Sequence, residues 1–211
     1  MSTGACNQAA CNQMPYTQII GPPVFDCNKM AEGFYRKARS YPKKYMPPTS
    51  AGILPYRLKD GRLEVLLVHP GGPIWARKDL GAWSIAKGGY KEDEPPFQAA
   101  LREFFEETGQ LLEGPFLPLA RRKQPSGKLI DVWAAESDWD ASNLVSNTFS
   151  MEWPKKSGKI REFPEVDRAA WFDMAEAARR IHPGQLGFLQ ELHEKLMGNV
   201  TQGVEPPGTD R

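Results

Sequence analysis

The sequence predicts an α/β fold on three observations: a β-hairpin opens the folded body, an amphipathic acidic helix follows, and later strand runs lead into two more helices. Ala51–Leu58 and Leu63–His69 are apolar, β-favouring runs, and the Asp-Gly pair within Lys59–Arg62 is a hairpin-turn signal. Pro55 lacks a backbone donor, so the first strand is expected at a sheet edge or a bulge. A Gly/Pro/Trp loop over Pro70–Ala82 then leads into a short strand, Trp83–Lys87. Further strands are expected at Phe116–Arg122, Lys128–Glu136 and Ala169–Phe172, with a long irregular insertion over residues 137–168. Asp173–Ile181 has an aspartate N-cap and ends before Pro183, which reads as a helix. Leu186, Leu189, Leu192 and Leu196 recur at helical spacing up to Gly198.

Residues 49–197 are therefore expected to form the domain. Residues 1–48 show no sustained period and read as a poorly ordered extension, with one short helix around Lys29–Arg39 and Met46 as an alternative start. Residues 198–211 form a Gly/Pro/Thr tail, expected to be disordered. With 40% hydrophobic and 25% charged residues the chain can bury a core, and a net charge of +1 gives no global case for nucleic acid or a membrane surface. No run approaches the ~20 apolar residues that span a bilayer, and Met1–Cys6 lacks a basic start followed by an apolar stretch, so a cytoplasmic protein is expected. Cys6, Cys11 and Cys27 show no C-x-x-C spacing and have no histidine near them; they read as free thiols.

Chemistry concentrates in Gly88–Gly109. Glu94-Pro95-Pro96 is a helix start, since proline is pre-organised for the first turn, and Gly109 is a stop. On a helical wheel Phe97, Ala100, Leu101, Phe104 and Thr108 form one stripe, while Glu103, Glu106 and Glu107 share an adjoining face. Three carboxylates within one turn repel, and Arg102 relieves only part of that repulsion. A hard cation such as Mg²⁺ or Mn²⁺ would turn the repulsion into binding. A solvated acidic face is the ordinary alternative for a Glu-rich helix. The preceding Lys87-Gly88-Gly89 weighs against it, because backbone there can approach a metal or phosphate closely.

Gly88, Glu94, Arg102-Glu103-Phe104, Glu106-Glu107 and Gly109 resemble the Nudix box, G-x5-E-x7-R-E-U-x-E-E-x-G-U, at every spacing, where U is a bulky apolar residue. Gln110 departs from the final U, though Leu111 and Leu112 follow at once. Trp83–Gly88 resembles the family's W-x-x-P-K-G approach, with Ala86 in place of proline. The resemblance covers about residues 50–197 and implies the Nudix fold, an α/β/α sandwich with a curled mixed β-sheet. It implies Glu103, Glu106 and Glu107 as metal ligands with a carbonyl of Gly88 or Gly89, Arg102 as their orienting ion-pair partner, and Glu94 as a supporting contact. The implied reaction is attack of water on a diphosphate linkage, with Glu106 or Glu107 first and Glu152 or Glu165 next as general base.

Lys87 is a phosphate-contact candidate, weighed evenly against a solvated lysine. Lys155, Lys156, Lys159 and Arg161 make a basic loop that could hold a phosphate tail, although such runs are more often solvated. Of Trp75, Trp83, Phe149 and Trp153, the pair Phe149 and Trp153 are the better stacking candidates for a base; Trp83 sits where a core residue would. His69 reads as a strand-end residue, His182 and His193 as helix-surface residues. The expected substrate is a small nucleotide-like molecule, a nucleoside triphosphate or dinucleoside polyphosphate first. ADP-ribose or a nucleotide sugar comes second, on Pro125, a proline near the spacing that tends to accompany ADP-ribose hydrolysis in the family. A non-catalytic binding module would usually lose box glutamates, none of which is lost here, and the isomerase branch of the fold would need a cysteine beyond Cys27. No membrane or nucleic-acid partner is expected, and many members of the family are homodimers.

Overall fold

The computed structural model describes residues 47–198; the cysteines, Met46, the helix expected at Lys29–Arg39 and the tail beyond Gly198 lie outside the described residues. The hairpin comprises β1 (Thr49–Lys59) and β2 (Arg62–Pro70), paired from Tyr56↔Val65 to Lys59↔Arg62, with Asp60 and Gly61 both at positive φ in the turn. After β3 (Ala86–Gly89) come helix α1 (Pro96–Thr108), β4 (Phe116–Pro118), β5 (Arg122–Lys123) and β6 (Leu129–Glu136). A 3-10 turn at Ala141–Asn143, β7 (Thr148–Glu152), β8 (Ile160–Pro164), β9 (Val166–Asp173), α2 (Met174–Arg180), a second 3-10 turn at Pro183–Gln185 and α3 (Leu186–Met197) complete the order.

The main sheet is mixed and open, with the path β4-β6-β1-β2-β9, β3 beside β1 and β5 beside β6. β1 is thus central, which corrects the edge-strand expectation from Pro55. One flank of β1 runs parallel to β6; the other pairs with β3 up to Ile53↔Ala86 and with β2 from Tyr56↔Val65. Pro55 falls in the gap between those two ladders, where the neighbouring strand changes and a lost donor is tolerated.

Strand alternation sends neighbouring residues to opposite faces. Leu54, Val65, Leu67, Ile130, Val132 and Ala134 pack with Ala177, Ile181, Phe188, Leu189 and Leu192 from the C-terminal helices. Ile53, Leu66, Val68 and Ala135 pack on the other face with Ala99, Ala100 and Phe104 of α1. Helices cover both faces, so the α/β/α sandwich is present.

Two expectations are revised. Phe116–Arg122 divides into β4 and β5 because the Ala120 N–H donates to Glu191 Oε1 of α3 (2.9 Å) instead of continuing the ladder. The segment 137–168 is not irregular throughout: β7 and β8 form a two-stranded antiparallel ribbon, Phe149↔Phe163 and Met151↔Arg161, and β9 begins at Val166. Asp173 caps α2 as expected, accepting from Glu176 N (2.8 Å). Among the described residues, no helix is long and apolar enough to cross a membrane.

Candidate active site

Helix α1 begins at its proline pair, with Pro96 in the first turn. It ends at Gly109, whose left-handed conformation (φ 71°) brings its N–H to Phe105 O at 2.7 Å. Ala99, Ala100, Phe104 and Thr108 have no exposed surface. That buried stripe fixes the rotation of the helix, so Glu103, Glu106 and Glu107 are turned toward the end of β3. Beyond the helix, Gln110 does not take up the apolar role of the box: its N–H donates to Thr108 Oγ1 (3.2 Å), and Leu112 packs on the core while Leu111 is 81% exposed.

Arg102 organises the acidic face. Its Nε and Nη2 donate to the two oxygens of Glu94 (2.8 and 3.0 Å), and Nη1 donates to Glu103 Oε1 (2.8 Å) and Glu106 Oε2 (2.9 Å). Nη2 also reaches the Gly89 carbonyl at 3.3 Å, joining helix to loop. The fork-shaped guanidinium can serve these acceptors together, which a lysine cannot. The hydrogen bond from Arg102 holds the Glu94 carboxyl below the usual range.

Glu103 directs Oε2 at Gly88, where a Cβ would overlap that oxygen, so any side chain at this position must push the carboxylate aside. Glu107 Oε2 accepts the Lys87 N–H at 2.9 Å. Burial pushes Glu107 up to about 7 and Glu103 upward, while burial lowers Lys87 despite the nearby Glu107 charge. Lys87 is thus a half-buried neighbour of Glu107 and not a free surface lysine. Glu165, between β8 and β9, adds its charge to both Glu103 and Glu107. These oxygen donors suit a hard divalent cation. Glu103 and Glu107 each keep one oxygen outside the bonds named above. Among the described residues, however, no three His, Cys, Asp or Glu side chains are arranged to hold a metal ion. Arg102 and the Lys87 N–H engage the glutamates instead.

Glu165 also lines a groove of about 470 Å³ between the Pro70–Trp75 segment and β7, with Trp75, Ile74, Phe149 and Met151 in its walls. Of the aromatic candidates, Phe149 and Trp75 reach this groove. Trp83 is core, 4% exposed, with its indole N–H on Asp79 (2.7 Å). Trp153 and Arg161 lie outside the lining, Trp153 following β7 and Arg161 opposite Met151. Lys155, Lys156 and Lys159 are exposed at the tip of the ribbon. Glu152 caps that tip by accepting the Gly158 N–H (2.6 Å), a structural role away from Glu103 and Glu107. Pro125 sits beside Gly184, ahead of α3.

His69 is not a simple strand-end residue. It is fully buried, with Nδ1 on Asp167 (2.7 Å) and Nε2 on the Lys78 carbonyl (2.8 Å). A further network escaped sequence reasoning: Tyr90, next to Gly89, donates to Asp131 (2.7 Å), which Arg121 also grips at 2.6 and 2.8 Å. A lone aspartate inside the apolar β6 run was its available signal.

An open mixed sheet between helices, with a glycine loop feeding a glutamate-bearing helix, defines an α/β/α domain with a carboxylate-lined site beside the end of β3. The family model of the NUDIX domain matches residues 46–192, and the chain belongs to the Nudix family of hydrolases, which act on pyrophosphate bonds. It is similar to the RNA pyrophosphohydrolase of Cereibacter sphaeroides, 31% identical over an alignment of 125 residues that covers 57% of this chain and 62% of that protein, under two thirds of its length. The RNA pyrophosphohydrolase of Brucella ovis is 28% identical over 184 residues, covering 73% of this chain and 94% of its own. Among solved structures, the Nudix domain of Shewanella oneidensis NrtR in complex with ADP ribose aligns with TM-score 0.51 and 17% identity, over 79% of this chain and 99% of that one. A mutT/nudix family protein from Listeria innocua gives 0.50 and 17%, over 74% and 99%. At these identities the structures establish the fold alone.

Proposed function

We propose that the protein is a metal-dependent pyrophosphohydrolase that cleaves a diphosphate linkage in a nucleoside triphosphate or dinucleoside polyphosphate by attack of water at phosphorus. The supporting observation is that Glu165 joins two sites: its charge acts on Glu103 and Glu107, and it lines an aromatic-walled groove. Phosphates at the glutamates would place a nucleoside in that groove.

Glu103, Glu106 and Glu107, with a carbonyl of Gly88 or Gly89, would hold Mg²⁺ or Mn²⁺. When bound, the ion neutralises phosphate charge and makes water a better nucleophile. Arg102 positions Glu103 and Glu106 and does not itself meet substrate. Glu106 or Glu107 is the preferred general base, each being a carboxylate on the face where the attacking water would sit; Glu165 follows. Lys87 offers positive charge to the phosphates, and Phe149 a ring face to the base. Trp153 and Arg161 would meet a longer substrate along the ribbon. The names of the relatives favour a second reading, a pyrophosphate bond carried by RNA.

Phosphate and pyrophosphate release should be followed with Mg²⁺ and then with EDTA. The panel holds nucleoside triphosphates, dinucleoside polyphosphates, ADP-ribose, nucleotide sugars and 5′-triphosphorylated RNA. Metal-dependent cleavage of the first two classes is expected. Preferred cleavage of the RNA would install the second reading, and silence throughout would leave a non-catalytic binding module.

A further inference from the structure

We infer that Tyr90, Asp131 and Arg121 form a clamp that sets the direction of the Gly89 carbonyl, which makes Tyr90 a positioning residue for the divalent ion. That the carbonyl meets an ion rests on the pyrophosphohydrolase reading; how it is held follows from the hydrogen bonds around it.

The end of β3 has little of its own to fix it. Gly88 and Gly89 carry no side chain, and the ladder to β1 ends at Ser50↔Gly89. The Gly89 carbonyl is turned toward the acidic face, where Arg102 Nη2 reaches it at 3.3 Å, a long bond. That carbonyl shares one rigid peptide plane with the N–H and Cα of Tyr90, so whatever fixes Tyr90 limits how far the carbonyl can turn.

Tyr90 is the first side chain beyond the glycines, and it is held at two points. Its carbonyl accepts from Thr49 Oγ1 (3.3 Å), and its hydroxyl donates to Asp131 Oδ2 (2.7 Å). The second tie crosses a strand: Gly88 pairs with Ala51 of β1, and Ala51 pairs with Asp131 of β6. Asp131 lies between Ile130 and Val132, which pack toward the C-terminal helices, so its carboxylate is on the α1 face with Glu103.

Asp131 is 8% exposed, and a buried carboxylate without partners is costly. Arg121 already meets both of its oxygens, Nε on Oδ1 at 2.6 Å and Nη2 on Oδ2 at 2.8 Å. The Tyr90 hydroxyl is therefore not needed to satisfy Asp131. It adds a tether from β6 to the end of β3, and Arg121 Nη2 donates to the same hydroxyl at 3.3 Å.

Mn²⁺ binding to the nucleotide-free protein, read from the EPR signal of the free ion, tests the clamp in wild type, Tyr90→Phe and Asp131→Asn. Tyr90→Phe keeps the ring and loses the tether, so its melting temperature should stay within about 3 °C. Its Mn²⁺ affinity should fall about tenfold. The Mg²⁺ concentration for half-maximal turnover should rise by about the same factor, with the nucleotide KM at saturating Mg²⁺ unchanged. Asp131→Asn keeps an oxygen for the phenol and loosens the grip of Arg121. It should melt below Tyr90→Phe yet bind Mn²⁺ more tightly. Affinity that follows melting temperature across the two variants would reduce the network to a stabilising one and overturn the clamp. A Tyr90→Phe protein that binds Mn²⁺ as wild type does would overturn it as well. Wild type that binds no Mn²⁺ would remove the metal-dependent reading itself, and the clamp with it.

Discussion

Helix α1 and the β7–β8 ribbon meet at one cleft and are held by opposite means. α1 lays a fully buried stripe on the sheet, and its polar side is cross-linked by one guanidinium to Glu94, Glu103, Glu106 and the Gly89 carbonyl. The ribbon pairs with itself alone, and β8 in particular is largely exposed. Its attachments lie at its base: Asn147 N donates to Glu106 O at 2.9 Å, Glu165 N to Asn147 O and Gly71 N to Glu165 O, both at 2.8 Å. Groups proposed to react thus sit on the element the core cannot let move. Groups proposed to shape the substrate sit on an added ribbon, bolted where it meets the reacting helix. Geometry tolerances differ accordingly, since about 1 Å of misplacement can cost a reaction ~100-fold while stacking on a ring face is forgiving.

The largest effect expected from breaking this division is at Glu107. Glu107→Gln keeps an oxygen to accept the Lys87 N–H, so the melting temperature should stay within about 3 °C. kcat should fall by about 10³-fold or more, as for loss of a main electrostatic or proton-transfer group. Retained activity would remove Glu107 from the proposed machinery. Next comes the anchor of the same helix: Phe104→Ala should cost about 3–5 kcal/mol of unfolding free energy in urea. The half-buried ribbon residue Phe163 should cost only about 1 kcal/mol when replaced by alanine. Equal costs would mean that the ribbon is as much a part of the core as α1. Gly88→Ala lies between chemistry and packing. Its new Cβ must displace the Glu103 carboxylate, so kcat should drop about 100-fold with the sheet intact by circular dichroism.

The same contrast decides what was legible in the sequence. α1 is determined locally: its stripe, proline start, glycine stop and carboxylate face all lie within Gly88–Gly109, and its contacts follow from helical period. The role of Pro55 was not local, because it depends on where β3 ends and β2 begins along the far strand. The ribbon was missed for a related reason. Phe149 and Met151 alternate with polar residues, but Lys155, Lys156, Ser157 and Gly158 hide the pairing between them and Arg161 and Phe163. Glu165 could be named as a glutamate in a loop. That its charge reaches Glu103 and Glu107, from a segment some sixty residues on, is set by the β9 register and by no neighbour in sequence.

The smallest effect sharpens the comparison at the wall opposite the ribbon. The loop between β2 and β3 carries Trp75, and Asp79 fastens its far end by accepting from Trp83 Nε1 (2.7 Å) and Arg180 Nη1 (2.6 Å). The Trp83 hydrogen bond first, and then Arg180, hold the Asp79 carboxyl below its ordinary value. Its contribution is therefore present above the unfolded carboxylate value near about 4 and is lost as pH falls through the lower folded value. Asp79→Asn should lower the melting temperature by about 2 °C or less at pH 7, since the group is half exposed and the ion pair solvent-screened. Wild type and variant should converge as pH falls below that lowered folded value. A gap that persists unchanged at that pH would show that the loop is held by packing around Trp83 alone, as α1 is held by Phe104. That would place the tryptophan wall of the groove with the rigid body and leave the ribbon as its only adjustable side.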